Sequence, residues 1–360
     1  MLLNTAHGMR CAVSIEDLNI AVVGTGANGD SLGADMIRAG LSVTYVDQWP
    51  AHVEAMRSDG LTVNFPDGTV ERTAIDAYHL CQVAELRRPF DIVFVSVKTY
   101  DTRWAVELLK PLLHAESVVV GLQNGMTIDD VADIVGPERT VGAVLGIAAN
   151  MFEPGVVNRQ VSRADTWTTV GTYAGDPTPQ LENVHAVLST AAVTETSRDI
   201  RASKWMKLLA NIPEMLPSAI LGVPLLTAVH IPGVRETMDE ASREAYALAR
   251  ELGIAMVPIF GMTARDVQDS DQYALDLLDA VLKSYSLEDT RVAVLQDWDK
   301  KRHAELDAYN GYIVETRRKL GGSAPVNEAI LQIANRIESG DLEPSLDNAD
   351  LLVAARALAD

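Results

Sequence analysis

The feature that most constrains the fold is a glycine-rich stretch near the start of the chain, GTGANG at residues 24–29. It follows the short apolar run NIAVV, which predicts a buried strand, and it opens residues 27–39, which predict a helix. A strand, this glycine spacing and a helix in succession are typical of a dinucleotide-binding turn. A tight turn without a ligand is the alternative, but both flanking elements favour nucleotide binding.

The glycine-rich stretch assigns a task to each of its residues. Gly24 permits the tight turn, Gly26 lets a pyrophosphate approach the backbone, and Gly29 lets the helix lie close to the strand. Ala27 and Asn28 occupy the first turn of the helix, where backbone amides point outward and the helix dipole favours an anion. These five residues are the predicted phosphate-binding residues.

Asp47 ends the next apolar run, LSVTYVD, which predicts a second strand. A carboxylate at this position accepts hydrogen bonds from the ribose hydroxyls of the cofactor and repels a 2′-phosphate. Gln48 and Trp49 follow, so that no arginine stands next to Asp47 in the sequence. The pattern favours NAD over NADP, and a solvated aspartate at a strand end is the alternative.

The pattern of predicted secondary structure changes near residue 199. Before it, short β-branched runs alternate with helical stretches, which predicts a parallel sheet with helices on both faces. After it, helical patterns continue almost to the end, and LQDWDKKRHAELDAYNGYIVETRRKLGG predicts one long helix. We divide the chain into a lead-in (1–17), a dinucleotide-binding domain (18–198), a helical substrate and dimerisation domain (199–345) and a C-terminal tail (346–360). The cleft between the two domains is the expected place for a site.

The composition excludes several classes of partner. Fifty acidic residues against thirty basic ones give a net charge of -20, which argues against nucleic acid and against an anionic membrane. No apolar run reaches the length of a membrane span, and the first residues do not resemble a signal peptide. Cys11 and Cys81 have no ligand or redox spacing, and the seven histidines are scattered, so that no metal site is predicted. We expect a cytoplasmic protein that acts on a small molecule.

Five polar residues are candidates for the chemistry. Lys98 in VFVSVKTYD and Asn124 in GLQNGM follow predicted strands at their carboxyl ends, where such sheets bind ligands. Lys207 and Asn211 stand four residues apart in KWMKLLAN and share a helix face. Glu305 lies in RHAELDAYNG. Taken singly, each is equally typical of an ordinary turn or a solvated helix surface.

The order of these motifs resembles the ketopantoate reductase family, from about residue 19 to about residue 315. The resemblance implies an α/β Rossmann-type N-terminal domain with a parallel sheet. It also implies an all-α C-terminal domain similar to that of 6-phosphogluconate dehydrogenase. The activity implied is 2-dehydropantoate 2-reductase, in which a nicotinamide cofactor reduces a C2 ketone. A homodimer is implied by analogy.

The resemblance also implies a role for each candidate. Lys207 matches the catalytic lysine, which donates a proton to the C2 oxygen as the hydride arrives. Asn211 matches a substrate-binding asparagine, and Glu305 matches an acid that holds the lysine or the product hydroxyl. Asn124 matches an asparagine beside the nicotinamide and the substrate, and Lys98 matches a lysine beside the cofactor.

The sequence departs from the family pattern at three positions. Met215 stands where a second asparagine is frequent, and Ala293 stands where a serine is frequent. Asp47 departs from the usual NADPH preference. Loss of polar contacts predicts weaker binding of pantoate-like groups and a substrate that is less polar on one side.

Three other functions stay open. An NAD-dependent D-2-hydroxy-acid dehydrogenase for branched or aromatic substrates is favoured by Met215 and Ala293. A non-catalytic NAD(H)-sensing protein is disfavoured by the retained Lys207 and Glu305. A 6-phosphogluconate-like or 3-hydroxy-acid dehydrogenase shares the general plan but is disfavoured by the LQNG and AELD stretches.

Overall fold

The structure, a computed structural model, describes residues 14–267 and 270–358. Most of the predicted lead-in, including Cys11, lies outside the described residues. The strands are β1 (Asn19–Val23), β2 (Ser42–Asp47), β3 (Leu61–Asn64), β4 (Val70–Thr73), β5 (Asp76–His79), β6 (Phe90–Val95), β7 (Leu113–Gly121), β8 (Thr140–Gly146), β9 (Ala149–Glu153), β10 (Val156–Arg159), β11 (Trp167–Thr172) and β12 (Val193–Thr196). The helices are α1 (Ala27–Arg38), α2 (Pro50–Asp59), α3 (Thr102–Leu109), α4 (Ile128–Val135), α5 (Pro179–Leu188), α6 (Ile200–Leu221), α7 (Leu225–Ala228), α8 (Val234–Glu251), α9 (Asp271–Ser284), α10 (Ala293–Asp299), α11 (Asn310–Lys319), α12 (Pro325–Glu338) and α13 (Ala349–Arg356).

The larger sheet has eight strands in the order β12-β11-β8-β7-β6-β1-β2-β5. Every residue of β1 is buried, as expected for a central strand covered on both faces. Helices α1 and α5 cover one face, and α3 and α4 cover the other. The predicted α/β fold with a mostly parallel sheet is therefore confirmed, and within the larger sheet β11 runs antiparallel to β8.

A smaller sheet of four strands, in the order β4-β3-β10-β9, lies beside α1. Its strands β3 and β4 form an antiparallel hairpin around the sequence PDG, as the turn residues predict. The sheet brings the segment after β8 back across the glycine turn, so that Ala149 and Met151 reach the cleft.

Helix α6 is the central element of the helical region. The Asp199 carboxylate caps its first turn by accepting a hydrogen bond from the Ala202 amide at 2.9 Å, and Gly222 ends it with a φ of 68°. Nearly all of its residues are buried, because it packs against α8, α9, α10 and α12 and also against β8 of the large sheet. One helix therefore contacts both halves of the chain.

The long helix predicted after residue 293 is interrupted. Helix α10 ends at Asp299, Lys301 has a φ of 56°, and α11 begins only at Asn310. A non-glycine residue with a positive φ does not continue an α-helix, which accounts for the break. Glu305 consequently lies in a connecting segment, not on a solvated helix face.

The chain after residue 345 joins the helical region. Leu352 of α13 is fully buried, and its carbonyl accepts a hydrogen bond from the Thr237 hydroxyl of α8 at 3.2 Å.

Nowhere in residues 14–267 and 270–358 is a helix both long and apolar enough to span a bilayer.

Candidate functional site

The glycine turn between β1 and α1 has the geometry that a dinucleotide requires. Gly24 has a φ of 81°, and a Cβ there would lie 2.5 Å from the Val97 backbone nitrogen. A Cβ on Gly29 would lie 2.9 Å from the Gly24 carbonyl oxygen, so that only glycine allows this close approach. A Cβ on Gly26 would meet no atom within 4 Å, which leaves open space beside the first amides of α1. These residues fit a bound pyrophosphate.

Asp47 lies at the carboxyl end of β2 and supports this turn. One carboxylate oxygen accepts a hydrogen bond from the Thr25 amide at 2.7 Å, and the other accepts one from the Trp49 amide at 2.7 Å. Each oxygen retains a second lone pair for a ribose hydroxyl. Asp47 therefore has a structural role in the glycine turn besides the predicted contact with the cofactor.

An arginine does approach this strand end, although the sequence beside Asp47 contains none. The Arg302 guanidinium lies 5.0 Å from the centre of the Trp49 ring. Arg302 comes from the segment between α10 and α11. Because it is distant from Trp49 along the chain, the sequence does not indicate that the two side chains are in contact. The absence of a neighbouring arginine is thus a weaker argument for NAD than the sequence alone indicates.

Lys98 follows β6 and closes the cleft between the two regions. Its ammonium lies 2.5 Å from a carboxylate oxygen of Asp297 and 3.0 Å from one of Glu305. Burial lowers the pKa of Lys98, but the two carboxylates outweigh this effect and hold it above its usual value. Lys98 is therefore a permanently charged group that joins the strand end to the α10–α11 segment.

Glu305 contacts a different lysine from the one that the resemblance implies. Its carboxylate binds Lys98 and also accepts a hydrogen bond from the Thr99 amide at 2.8 Å. The expected contact with Lys207 is absent from the described residues, because the break after Asp299 directs Glu305 toward the β6 edge. The other contact that the resemblance implies for Glu305, with the product hydroxyl, stays a prediction.

Lys207 lies on α6 and faces a cavity without an ion-pair partner. No hydrogen bond or ion pair of its ammonium occurs within residues 14–267 and 270–358. The group lies 5.0 Å from the centre of the Phe260 ring. Burial lowers the pKa of Lys207, and the more distant carboxyl of Glu214 opposes the shift only in part. A half-buried lysine with a lowered pKa at a cavity wall is suited to proton transfer.

Asn211 lies one turn after Lys207, as the spacing predicts. Its side chain is fully buried, and neither its amide nitrogen nor its carbonyl oxygen has a hydrogen-bond partner in the described part of the chain. Buried amides are nearly always paired, so these two atoms are suited to contact a ligand or an ordered water.

Two adjoining cavities lie between Lys98 and Lys207, and Asn211 lines neither of them. The glycine-loop cavity, of about 180 Å³, is lined by Gly26, Lys98 and Glu305 among others. The helix cavity, of about 140 Å³, is lined by Lys207 and Glu214 among others. Asn28, Asn124, Leu145, Ala149, Ala293 and Gln296 line both. A cofactor in the first cavity would therefore adjoin a substrate in the second, with Asn124 between them.

Asn124 is held in place by its neighbours. The Gln123 side chain donates to the Val97 carbonyl at 2.7 Å and to the Thr102 hydroxyl at 2.9 Å. Lys204 of α6 donates to the Gln123 carbonyl at 2.9 Å, and burial lowers the pKa of Lys204 to about 8. These contacts fix the turn after β7, and thereby the position of Asn124, relative to α6.

Two of the three departures from the family pattern lie at the same cavity. Met215 and Ala293 both line the helix cavity, where they present apolar surface. A larger cavity of about 930 Å³ opens beyond Phe260 and Tyr285, but it contains none of the predicted site residues. We therefore place the site at the two smaller cavities.

Four residues of the site were not predicted from the sequence. Asp297, Glu214 and Arg302 read as ordinary charged residues, and Lys204 as a surface lysine one turn before Lys207. Only the break after α10 and the burial of α6 reveal their positions, so no local signal identifies them. Among the described residues, no cluster of three or more metal-ligating side chains occurs.

Comparison with known proteins decides the family. The model of "Ketopantoate reductase PanE/ApbA" matches residues 20–175, and the model of its C-terminal part matches residues 199–338. This chain belongs to the ketopantoate reductase family. The 2-dehydropantoate 2-reductase of Caulobacter vibrioides is 28% identical over 328 residues, covering 88% of this chain and 98% of that protein. That of Nostoc sp. is 25% identical over 316 residues, covering 85% and 90%.

Solved structures of this family share the fold. A PanE/ApbA family ketopantoate reductase from Ralstonia eutropha superposes with a TM-score of 0.75 and 26% identity, covering 90% of this chain and 99% of that one. A D-mandelate dehydrogenase solved with NADH and anilino(oxo)acetate superposes with a TM-score of 0.79 and 19% identity, covering 90% and 99%. The latter likeness shows the fold alone.

Proposed function

We propose that this protein is a nicotinamide-dependent oxidoreductase that interconverts a 2-oxo acid and a 2-hydroxy acid, with Lys207 as general acid and base. The observation that carries the proposal is the half-buried ammonium of Lys207, without an ion-pair partner among the described residues, at the wall of the helix cavity. The adjoining glycine-loop cavity is lined by the turn that fits a dinucleotide.

The residues of the chain divide the work of the reaction. A bound nicotinamide supplies or accepts the hydride. Lys207 hydrogen-bonds the C2 oxygen and gives up its proton as negative charge develops there. Asn211 binds the substrate through its unpaired amide, and Asn124 borders both ligands. Glu305 acts through Lys98, whose charge closes the cleft beside the cofactor.

We propose NAD in preference to NADP as the cofactor. Asp47 supports this proposal, because its carboxylate ends β2 and keeps free lone pairs for ribose hydroxyls. Its charge also disfavours a 2′-phosphate. The nearby Arg302 guanidinium acts in the opposite direction, so that the ratio of the two cofactors measures the balance between these charges.

The second candidate is an NAD-dependent D-2-hydroxy-acid dehydrogenase for branched or aromatic substrates. The apolar wall that Met215 and Ala293 contribute to the helix cavity favours it. A D-mandelate dehydrogenase among the structural neighbours was solved with NADH, which is a fact about that protein. The two candidates share the reaction and differ in the substrate side chain.

The test is consumption of reduced cofactor by the purified protein. NADH and NADPH are each offered with ketopantoate and with a panel of branched and aromatic 2-oxo acids. Turnover of at least one 2-oxo acid, faster with NADH, is the expected result. Tight NADH binding without turnover of any 2-oxo acid would contradict the proposal and favour the NAD(H)-sensing alternative.

The assembly, the domain limits and the location in the cell stay predictions. We propose a homodimer formed through the helical domain at residues 199–345, with the dinucleotide-binding domain at residues 18–198. A ketopantoate reductase from Staphylococcus aureus, a structural neighbour at 16% identity, is described as dimeric. The cytoplasmic location likewise stays a prediction from the sequence.

A further inference from the structure

Glu214 is a buried acid in the helix cavity that no family motif assigns. It follows Lys207 by seven residues on α6, nearly two helical turns, so the two side chains share a face. Both line the helix cavity, and Glu214 is only 5% exposed. Burial raises the pKa of the Glu214 carboxyl, and the charge of Lys207 opposes this shift.

The Glu214 carboxylate has no partner in the described part of the chain. Its backbone carbonyl accepts a hydrogen bond from the Ser218 hydroxyl at 2.7 Å, but no hydrogen bond or ion pair reaches its carboxylate oxygens. A ligand that fills the cavity without a donor would leave this carboxylate desolvated and unpaired, which is costly, whereas a ligand with a donor would avoid that cost. The group therefore points to a ligand that carries a hydrogen-bond donor.

The surroundings of Glu214 restrict where that donor can be. Lys207 and Glu214 are separated by about 10.5 Å along the helix axis, since each residue rises about 1.5 Å. The cavity between them holds about 140 Å³, which suits a small acid. Met215, Leu225, Val281 and Ala293 contribute apolar wall to it. A substrate whose C2 oxygen meets Lys207 thus directs its side chain along an apolar wall toward Glu214.

We propose that Glu214 is a specificity residue that accepts a hydrogen bond from a hydroxyl on the side chain of the 2-oxo acid. This inference rests on the proposed function and names its substrate class. An unsubstituted aromatic or aliphatic side chain leaves the carboxylate buried and unpaired, and a site of this kind rejects such a substrate. Glu214 therefore replaces, from the preceding position on α6, the polar contact that Met215 does not provide.

The experiment compares two substrates that differ only in one hydroxyl. Ketopantoate carries a C4 hydroxyl that 3,3-dimethyl-2-oxobutanoate lacks. We expect the wild-type protein to prefer ketopantoate at least about 30-fold in kcat/KM, in line with a site built to bind a hydroxyl. Glu214→Met should bring this preference to within about threefold of unity, whereas Glu214→Gln, which keeps an acceptor, should retain most of it.

Met215→Leu is the matched control, because it alters the adjacent cavity residue without changing its polarity. It should leave the preference within about threefold of the wild-type value. Equal loss of both substrates in Glu214→Met, with a displaced pH profile, would overturn the inference and leave Glu214 only as a charge that tunes Lys207.

A binding measurement separates this inference from the reaction itself. Calorimetry on the protein saturated with NAD⁺ compares pantoate with 2-hydroxy-3,3-dimethylbutanoate. A preference for pantoate that Glu214→Met abolishes supports the inference, even if no turnover is seen and the proposed reaction fails. Turnover of both oxo acids with no preference, in rate or in binding, overturns the inference while the proposed reaction stands.

Discussion

Lys98 and Lys207 lie on opposite sides of one cleft and are held in opposite ways. Lys98 has two carboxylate partners within 3.0 Å, and they hold its pKa above the usual value. Lys207 has no ion-pair partner among the described residues, and burial lowers its pKa. A lysine that is paired within the protein stabilises the structure, whereas a lysine without an ion-pair partner is available to bind a substrate.

The two sides of the cleft also differ in whether their polar side chains have partners within the protein. On the cofactor side, Asp47, Lys98 and Glu305 are all engaged in contacts within the protein. On the substrate side, Asn211 is buried and Lys207 is half-buried, and neither side chain has a hydrogen-bond partner in the described part of the chain. The protein thus builds a preformed cofactor side and leaves the polar groups of the substrate side to be satisfied by the ligand.

The largest expected effect is the loss of chemistry in Lys207→Ala. Removal of the proton donor should lower kcat by about 10³-fold, within the range known for general acids. The dissociation constant of NADH should change less than about twofold, because Lys207 lies outside the glycine-loop cavity. Steady-state rates and fluorescence titration of NADH measure the two quantities. A variant that keeps more than about a tenth of the wild-type kcat would contradict the assignment of Lys207 as the proton donor.

Lys98→Met should mainly affect stability. It leaves the buried carboxylates of Asp297 and Glu305 without their cation, and removal of one partner from such a group costs about 3 kcal/mol. Urea unfolding measures this loss. The control is Lys110→Met, because Lys110 forms only an exposed pair with Glu107 at 3.7 Å and should change stability by less than about 0.5 kcal/mol. Equal effects of the two substitutions would argue against the structural role of Lys98.

The lowered pKa of Lys207 predicts a pH dependence of opposite sign in the two directions. Reduction needs the protonated lysine, so kcat/KM for the 2-oxo acid should fall as the pH rises through the pKa. Oxidation needs the neutral lysine and should rise over the same interval. The midpoint should lie below the ordinary lysine value of about 10.4.

Lys204 provides the control for this profile, since burial also lowers its pKa, to about 8. Lys204→Met should keep the alkaline limb, whereas Lys207→Ala should remove it. Disappearance of the limb in Lys204→Met would transfer the titration to Lys204 and would contradict the assignment.

The sequence indicated the glycine turn but not the charged contacts around Lys98, for a physical reason. Gly24, Gly26 and Gly29 satisfy local requirements of a single turn, so their spacing alone indicates the geometry. Asp297 and Arg302 depend on a break in a helix that a periodic pattern does not show. The contact of Glu305 with Lys98 joins residues distant along the chain, and such a pairing has no local signal.

Asp47→Ala should have a smaller effect, on the choice of cofactor. Loss of the carboxylate removes the repulsion of a 2′-phosphate, so the preference for NADH over NADPH should fall about tenfold, or about 1.4 kcal/mol. Parallel kcat/KM values for both cofactors measure it. An unchanged ratio would restrict Asp47 to its support of the Thr25 and Trp49 amides.

Arg302→Ala should have the smallest effect and the opposite sign. The guanidinium against Trp49 is exposed, so its loss should weaken NADPH about two- to threefold and leave NADH nearly unchanged. The same parallel assay measures it, at low ionic strength. A larger loss with NADH than with NADPH would show that Arg302 acts on a group that both cofactors share.

Rescue of Lys207→Ala by an added amine tests most directly whether Lys207 donates the proton. Single-turnover oxidation of NADH by a 2-oxo acid is followed with increasing methylammonium, with Lys98→Met treated in parallel. The rate of Lys207→Ala should rise with the amine concentration, whereas Lys98→Met should not respond. A Lys207→Ala variant that transfers hydride at the wild-type rate without amine would contradict this role of Lys207.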